Sequence, residues 1–137
     1  MKILKTKDKQ EEIQLLLKDL SARLPYNPIV HIHDLNTTDY DNYLYADSLD
    51  SMMTYSITLK PYLRPMSSMT KEEKNKYYKT LDKYTHRLYP NLADFSEHIE
   101  YSWTTETFDF LNAYHFDYRD LISKSLAFEA PKDMYKL

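Results

Sequence analysis

The chain has 137 residues and no glycine, whereas an average protein of this length contains about ten. Phosphate-binding loops, dinucleotide-binding turns and G-x-S-x-G nucleophile elbows all need glycine backbone, so these enzyme classes are excluded. Cysteine is also absent, which excludes disulfides, thiol catalysis and zinc–thiolate sites. Because no run of about 18 apolar residues and no signal-peptide pattern occurs, we expect a soluble cytoplasmic protein that forms one domain over residues 1–137.

Charged and aromatic residues are unevenly distributed along the chain. Residues 24–59 contain five aspartates and no lysine or arginine, while residues 60–88 contain eight basic and three acidic residues. The whole chain nevertheless carries a net charge of only −3. There are 14 tyrosines, a residue that is favoured at interfaces but also fills the edges of small cores. Such segregation of charge can steer a partner, or the blocks can neutralise each other within one fold.

Hydrophobic periodicity predicts a helix followed by strands in the first half of the chain. Apolar residues at helical spacing predict a helix over residues 8–23, which Pro25 ends. Alternation of apolar and polar residues predicts strands over residues 28–33, 43–46 and 52–59. The connections are too short for crossover helices, so we expect an antiparallel sheet of three strands.

The second half of the chain is predicted to be helical. Thr70 and Glu73 form a capping-box pattern that begins a helix over residues 71–87. Further helices are predicted from Asn91 and over residues 105–114. The fold class predicted from these elements is α+β, with an N-terminal helix, a small antiparallel three-stranded sheet, and then three or four helices packed on one face.

The most unusual composition lies in the acidic, tyrosine-rich segment over residues 34–55. Aromatic side chains and carboxylates without any cation suit docking on a basic protein surface, such as one that normally binds nucleic acid. The alternative is a hairpin with polar turns. We predict a protein-binding surface without enzymatic activity, made of Asp39, Tyr40, Asp41, Tyr43 and Tyr45.

A second hypothesis places nucleic acid on the predicted helix 71–87. Its candidate contact residues are Lys74, Lys76, Lys79 and Lys83, which alternate with tyrosines. Cations that hold phosphate and rings that stack on bases are the mixture that a nucleic-acid groove needs. The alternative is a solvated basic face packed by its tyrosines.

A third hypothesis is a metal-dependent hydrolase at His31, His33 and Asp34. Alternate residues of a strand point the same way, so the two imidazoles can share a face next to the carboxylate. Two histidines alone are not a metal site, and polar residues on the solvent side of a strand explain them equally well. The preferred hypothesis, a protein-binding surface, includes no catalytic residue and no cofactor.

Three blocks of the sequence carry a resemblance: ARLPY at Ala22–Tyr26, KPYLRPMSSMT at Lys60–Thr70, and NxxHFDYRxLIxKxLAxEAPxxMY at Asn112–Tyr135. Through them the chain resembles a group of short, uncharacterised open reading frames in phages and mobile elements of gut Bacteroidales-type bacteria. The resemblance implies a bacterial host cell and no particular activity. In that setting, one form that binding of a host protein can take is inhibition of a nucleic-acid-processing or defence enzyme.

The same resemblance implies a backbone geometry at three positions. The group commonly has glycine where this chain has Asn27, Asp120 and Ser125. The backbone there must therefore accept asparagine, aspartate or serine in a turn or a helix cap. Asparagine and aspartate adopt left-handed backbone readily, and serine is less suited to it.

Overall fold

A computed structural model of the chain describes residues 2–54, 56–85 and 99–136. The chain divides into two compact units, of which the first combines Met1–Ser68 with Asn112–Leu137 and the second is Met69–Leu111. The elements run in the order α1 (Lys2–Arg23), β1 (Ile29–Asp34), β2 (Tyr40–Tyr43), α2 (Ala46–Met53), β3 (Ile57–Pro65), α3 (Lys71–Thr80), β4 (Asp82–Thr85), β5 (Ile99–Ser102), α4 (Thr105–Ala113), β6 (Phe116–Asp117) and β7 (Phe128–Glu129). This mixture of helices and strands is the α+β class that the sequence predicts. None of the described helices is both long and apolar enough to cross a membrane.

Helix α1 covers the predicted helix 8–23 and begins earlier, at Lys2. Its apolar residues recur every three or four positions, which buries Leu16 and Leu20 in the core of the first unit. A 3-10 turn over Leu24–Tyr26 follows, and the chain leaves it at Asn27 in left-handed backbone with φ 54° and ψ 55°. The helix therefore ends where proline and a left-handed residue together stop its propagation.

The sheet of the first unit has the strand order β2-β1-β3-β6, and β7 also pairs with β3. Strands β2, β1 and β3 are antiparallel, as predicted, whereas β6 and β7 pair parallel to β3 and extend the sheet beyond the predicted three strands. Strand β1 alternates as expected, with Val30 and Ile32 buried on the core side. The core is closed by aliphatic residues from both parts of the unit: Leu16, Leu20, Val30, Ile32, Leu44, Leu49, Met52, Leu59, Leu63, Leu121, Leu126 and Ala127.

Two of the predicted strands are wrong. Residues 43–46 span the end of β2 at Tyr43 and the start of α2, and most of residues 52–59 precedes the observed strand, which begins at Ile57. Helix α2 forms here because Leu49 and Met52, three positions apart, both reach the core on one helical face. A short alternating run does not exclude a helix, and core packing decides between the two.

Helix α3 begins as predicted and ends early. The hydroxyl of Thr70 accepts from the Glu73 N–H at 3.1 Å, and the Glu73 carboxylate accepts from the Thr70 N–H at 3.0 Å, so the capping box is confirmed. The predicted extension to residue 87 is wrong, because the helix ends at Thr80 and residues 82–85 form β4, paired with β5. The Thr80 carbonyl accepts from the hydroxyl of Thr104 at 2.8 Å, and this contact caps the helix end.

Helix α4 confirms the predicted helix 105–114, apart from its last residue. The helix predicted from Asn91 lies outside the described residues, except that residues 99–102 form strand β5. Near the carboxyl end, the Tyr135 hydroxyl accepts from the Ile29 N–H at 2.9 Å and donates to the Tyr62 carbonyl at 2.7 Å. One side chain thereby ties the last residues of the chain to both β1 and β3.

Among the described residues, five adopt left-handed backbone with φ between 54° and 67°: Asn27, His115, Asp120, Ser125 and Asp133. At Asn27, Asp120 and Ser125 the predicted backbone geometry is confirmed. At Ser125 the geometry is a Schellman motif. The N–H of Leu126 donates to the Leu121 carbonyl at 2.9 Å, and the N–H of Ser125 donates to the Ile122 carbonyl at 3.1 Å.

Ser125→Gly is expected to stabilise the protein by up to about 1 kcal/mol. Left-handed backbone costs a non-glycine residue roughly 1–2 kcal/mol, and part of that gain is lost to the larger entropy of the unfolded glycine chain. The matched control is Ser21→Gly in the exposed face of α1, which should destabilise by roughly 0.5–1 kcal/mol. Urea unfolding measures both variants, and destabilisation of equal size in the two would contradict the prediction.

Candidate functional site

The side of the sheet opposite the core carries a polar and aromatic surface. Strand β1 turns His31 and His33 to this side, because Val30 and Ile32 between them are buried. The register places Asp41 of β2 and Lys60 of β3 directly across from His31. We call this surface the outer face. It consists of Tyr43, which lies on this side by alternation with Asp41 along β2, and of residues that contact one another there: His31, His33, Asp39, Asp41, Lys60, Tyr62 and Phe128.

Two aspartates join the two histidines in one hydrogen-bonded network. His31 Nδ1 lies 2.8 Å from Asp41 Oδ1, and His31 Nε2 lies 3.3 Å from Asp39 Oδ2. The second oxygen of Asp39 lies 2.6 Å from His33 Nδ1. The Tyr62 hydroxyl donates to both oxygens of Asp41, at 3.1 and 3.2 Å. Neither carboxylate is therefore a free acidic group in this arrangement.

An aromatic cluster lies beside this network. The ring of Phe128 packs against His31 edge-on at 5.7 Å and against Tyr62 at 5.6 Å between centroids. The ammonium group of Lys60 lies 5.2 Å from the centre of the same ring, within range of a cation–π interaction. Phe128 reaches this place because β7 pairs with β3 at Tyr62. The outer face is thus assembled from segments almost 100 residues apart in the chain.

The network shifts the ionisation of its members in opposite directions. The pKa of His31 is raised, chiefly by its hydrogen bond with Asp41, while partial burial opposes the shift and Asp39 adds to it. The pKa of Asp39 is lowered, chiefly by its hydrogen bond with His33. Partial burial and the hydrogen bond to Asp41 raise the pKa of Tyr62. The geometry therefore favours charged imidazole next to ionised carboxylate.

Strand β2 is an edge of the sheet and is exposed along its length. The Leu44 N–H donates to the Pro28 carbonyl at 2.9 Å, and hydrogen-bonded pairs alternate in an antiparallel ladder. Asp41 and Tyr43 consequently turn their backbone N–H and C=O groups away from β1. The Tyr43 N–H is covered by the side chain of its neighbour Asn42, whose Oδ1 accepts it at 2.8 Å.

The structure places the five predicted partner-binding residues around this edge, although not on one face. Asp39, Asp41 and Tyr43 belong to the outer face, whereas Tyr40 pairs with Ile32 and shares its side of the sheet. Tyr45 precedes α2 as its N-cap residue. The sequence prediction did not include Lys60, Tyr62 or Phe128. The alternation of β3 could have indicated the first two, and nothing local to residues 128–129 indicates that they pair with β3.

The metal hypothesis named a carboxylate that lies elsewhere. The Asp34 side chain accepts the N–H of Asn36 at 2.9 Å in the turn after β1, and the carboxylate beside the histidines is Asp39. Asp39 lies between the rings and contacts each with a different oxygen, so the three groups do not converge on one point. In the described parts of the chain, no three histidine, aspartate or glutamate side chains are arranged to hold a metal ion.

The predicted nucleic-acid residues lie in the second unit. Lys74, Lys76 and Lys79 are exposed on α3, but Lys83 lies in β4 and not on a helix. At about 100° per residue, the three helical lysines spread over about 200° of the helix surface and do not form a narrow stripe. Tyr77 is not free to stack on a base, because its hydroxyl accepts from Trp103 Nε1 at 2.9 Å and its ring packs on Phe110.

Comparison of the chain with family models, with curated proteins and with solved structures found no match.

Proposed function

We propose that the chain is a small accessory protein of a phage or mobile element that acts by binding a host protein through β2 and the outer face. The observation that carries the proposal is the exposure of three tyrosines around one sheet edge: Tyr40 is 48 %, Tyr43 52 % and Tyr45 55 % exposed. Tyrosine combines an apolar ring with a wet hydroxyl, and it loses little entropy when a partner orders it. Such a cluster suits a protein interface.

The edge of β2 offers the partner a backbone as well as side chains. The outward N–H and C=O groups of Asp41 can pair with an extended segment, which is a common way to bind a peptide chain. Edge strands that resist such pairing often carry lysine or proline, and the segment Tyr40–Tyr43 has neither. In the unbound chain the Tyr43 N–H donates to the side chain of Asn42, and a bound peptide strand can replace this hydrogen bond.

The charge around the edge favours a basic partner surface. Asp47 and Asp50 are exposed on α2. They belong to residues 24–59, which contain no lysine or arginine. Complementary charge speeds association and orients the partner more than it adds affinity. A basic surface is what nucleic-acid-processing enzymes present to phosphate, so inhibition of such a host enzyme is a consistent consequence of binding.

Site-specific photocrosslinking tests this proposal. A photoreactive amino acid in place of Tyr43 should yield one dominant protein adduct in a lysate of a gut Bacteroidales host, and the same group in place of Tyr78 on α3 should not. The additional substitution Tyr45→Ser should lower the yield at Tyr43 about tenfold or more, since buried interface tyrosines are often hot spots. Mass spectrometry identifies the adduct, and the purified pair then gives a dissociation constant.

The control substitution is Tyr78→Ser, which removes an equally exposed tyrosine from the second unit and should leave the yield at Tyr43 unchanged. Nucleic acid crosslinked from position 78, with no protein adduct from position 43, would instead favour the lysine-bearing helix as the binding site. Reversal of charge at Asp39 and Asp41 is a poor test, because both carboxylates hold the hairpin together through His31 and His33.

A further inference from the structure

His31 contacts two different carboxylates with its two ring nitrogens. Nδ1 lies 2.8 Å from Asp41 and Nε2 lies 3.3 Å from Asp39. Ionised carboxylates only accept hydrogen bonds, so both nitrogens must donate, and only the doubly protonated imidazolium has two N–H groups. A neutral His31 keeps one proton and directs a lone pair at the other carboxylate. Only the protonated ring can therefore donate a hydrogen bond to both carboxylates at once.

The groups that surround His31 come from every strand packed against it. Asp39 and Asp41 approach from the β2 side, and His33 shares Asp39 from the same strand as His31. From β3, Lys60 lies opposite with its ammonium group over Phe128, and Tyr62 donates to Asp41. Strand β7 contributes the ring of Phe128. Asp41 keeps a hydrogen bond from Tyr62 when His31 changes its charge, whereas Asp39 is left with His33 alone.

From this arrangement we infer that His31 is a proton-controlled clasp. The protonated ring holds the second oxygen of Asp39 against β1, and the neutral ring leaves Asp39 with His33 alone. The shorter contact to Asp41 retains the remaining proton, so the longer contact to Asp39 is the one that opens. Opening frees one carboxylate oxygen of Asp39, a residue that is already exposed and lies just before β2. The clasp regulates the interface proposed above, and its effect on binding rests on that proposed function.

The direction of the effect follows from the two pKa shifts. The pKa of His31 is raised above 6.5, so its contribution to folding is complete below pH 6.5 and is lost as pH rises through the folded value. The pKa of Asp39 is lowered below 3.8, so its contribution is present above pH 3.8 and is lost as pH falls through the folded value. The clasp is therefore closed in mildly acidic solution and opens on the alkaline side.

Nitrogen-15 NMR of the full-length chain tests the clasp without any partner. At about pH 5.5 both ring nitrogens of His31 should be protonated, and the midpoint of its titration should lie above the ordinary histidine pKa of about 6.5. Asp39→Asn and Asp41→Asn should each lower that midpoint, and Asp50→Asn on α2 should leave it unchanged. His31→Gln assigns the signal. A midpoint at or below 6.5, or one that neither substitution moves, would overturn the inference.

Crosslinking from position 43 tests the regulation of binding. The yield of protein adduct should be about two- to fivefold higher at about pH 8 than at about pH 5.5, the size expected when one exposed carboxylate becomes available to a cation. His31→Gln should give the higher yield at both pH values. Equal yields from the unaltered chain would overturn the regulatory role. Absence of any adduct would count against the proposed function, and the NMR titration would still decide on the clasp.

Discussion

Asp19→Asn is expected to destabilise the protein by about 3–5 kcal/mol, the cost of leaving a buried arginine without its countercharge. Asp19 and Arg23 are both 0 % exposed, and Arg23 Nε donates to Asp19 Oδ2 at 2.7 Å. Arg23 Nη2 also donates to the Phe116 carbonyl at 2.7 Å, and Arg119 donates to the other oxygen of Asp19 at 3.2 Å. One carboxylate thus balances two guanidinium groups. Urea unfolding at neutral pH measures the loss.

Two comparisons make this expectation specific to the buried pair. Asp50→Asn on the exposed side of α2 should change the free energy of unfolding by less than about 0.5 kcal/mol. The double substitution Asp19→Leu with Arg23→Met should cost less than the sum of its single substitutions, because it removes both fully buried charges together. A loss under about 1 kcal/mol for Asp19→Asn would show that solvent reaches Arg23.

Acidification from about pH 7.5 to about pH 4.5 is expected to cost roughly 2–3 kcal/mol of stability through His115 alone. Burial, with the charges of Arg23 and Arg64 adding to it, lowers the pKa of His115 to about 4. In the unfolded chain His115 has an ordinary histidine pKa near 6.5, so it binds a proton as the pH falls below that value. In the folded chain it stays unprotonated until the pH approaches about 4. The stability is therefore complete above pH 6.5 and is lost as pH falls towards the folded pKa.

The local structure explains why His115 stays neutral. Its ring stacks on Tyr135 with 3.8 Å between centroids and an angle of 18°. Burial also raises the pKa of Tyr135 to about 12, so neither ring of the stack is charged at neutral pH. His115→Asn keeps a residue that tolerates the left-handed backbone and removes the titration. The difference in the free energy of unfolding between the two pH values should then be smaller by roughly 2–3 kcal/mol. An unchanged pH dependence would contradict the assignment.

His115 and His31 respond to acid in opposite ways. Protonation of His31 is stabilised by two carboxylates in front of it, whereas protonation of His115 is opposed by burial and by two arginines. Both residues follow apolar or aromatic positions in the sequence, and composition does not distinguish them. The difference arises from the surfaces that the folded chain brings against each ring.

Local patterns predicted those elements whose side chains decide their own conformation. The periodicity of Leu16 and Leu20 and the capping box of Thr70 are short-range signals, and both predictions hold in the structure. The strand predicted over residues 52–59 was wrong because the alternation of these residues fits a strand. The helix forms instead because Leu49 and Met52 are buried on one helical face, and that burial depends on α1 and β3. Such a choice is made by tertiary packing and is not encoded within the segment itself.

The candidate site was predictable only in part, for a related reason. The histidines and Tyr43 are visible as an unusual run, but the register of β1 with β2 determines that Asp41 lies opposite His31. Sequence adjacency suggested Asp34, which bonds within its own turn instead. Phe128 belongs to the outer face because the two residues of β7 pair parallel to β3. A strand of two residues is too short to show a periodic pattern in the sequence.

The discontinuous first unit has a consequence for how the protein is made. When the ribosome has added residue 111, the nascent chain holds α1 and β1–β3 but not Leu121, Leu126 or Ala127, which close the core. The two strands that extend the sheet beyond β3, and the Tyr135 hydroxyl that ties β1 to β3, are also still missing. Cooperative folding of this unit must therefore wait until the last part of the chain has left the exit tunnel. Until then, the apolar side of the sheet lacks the late residues that cover it in the folded protein.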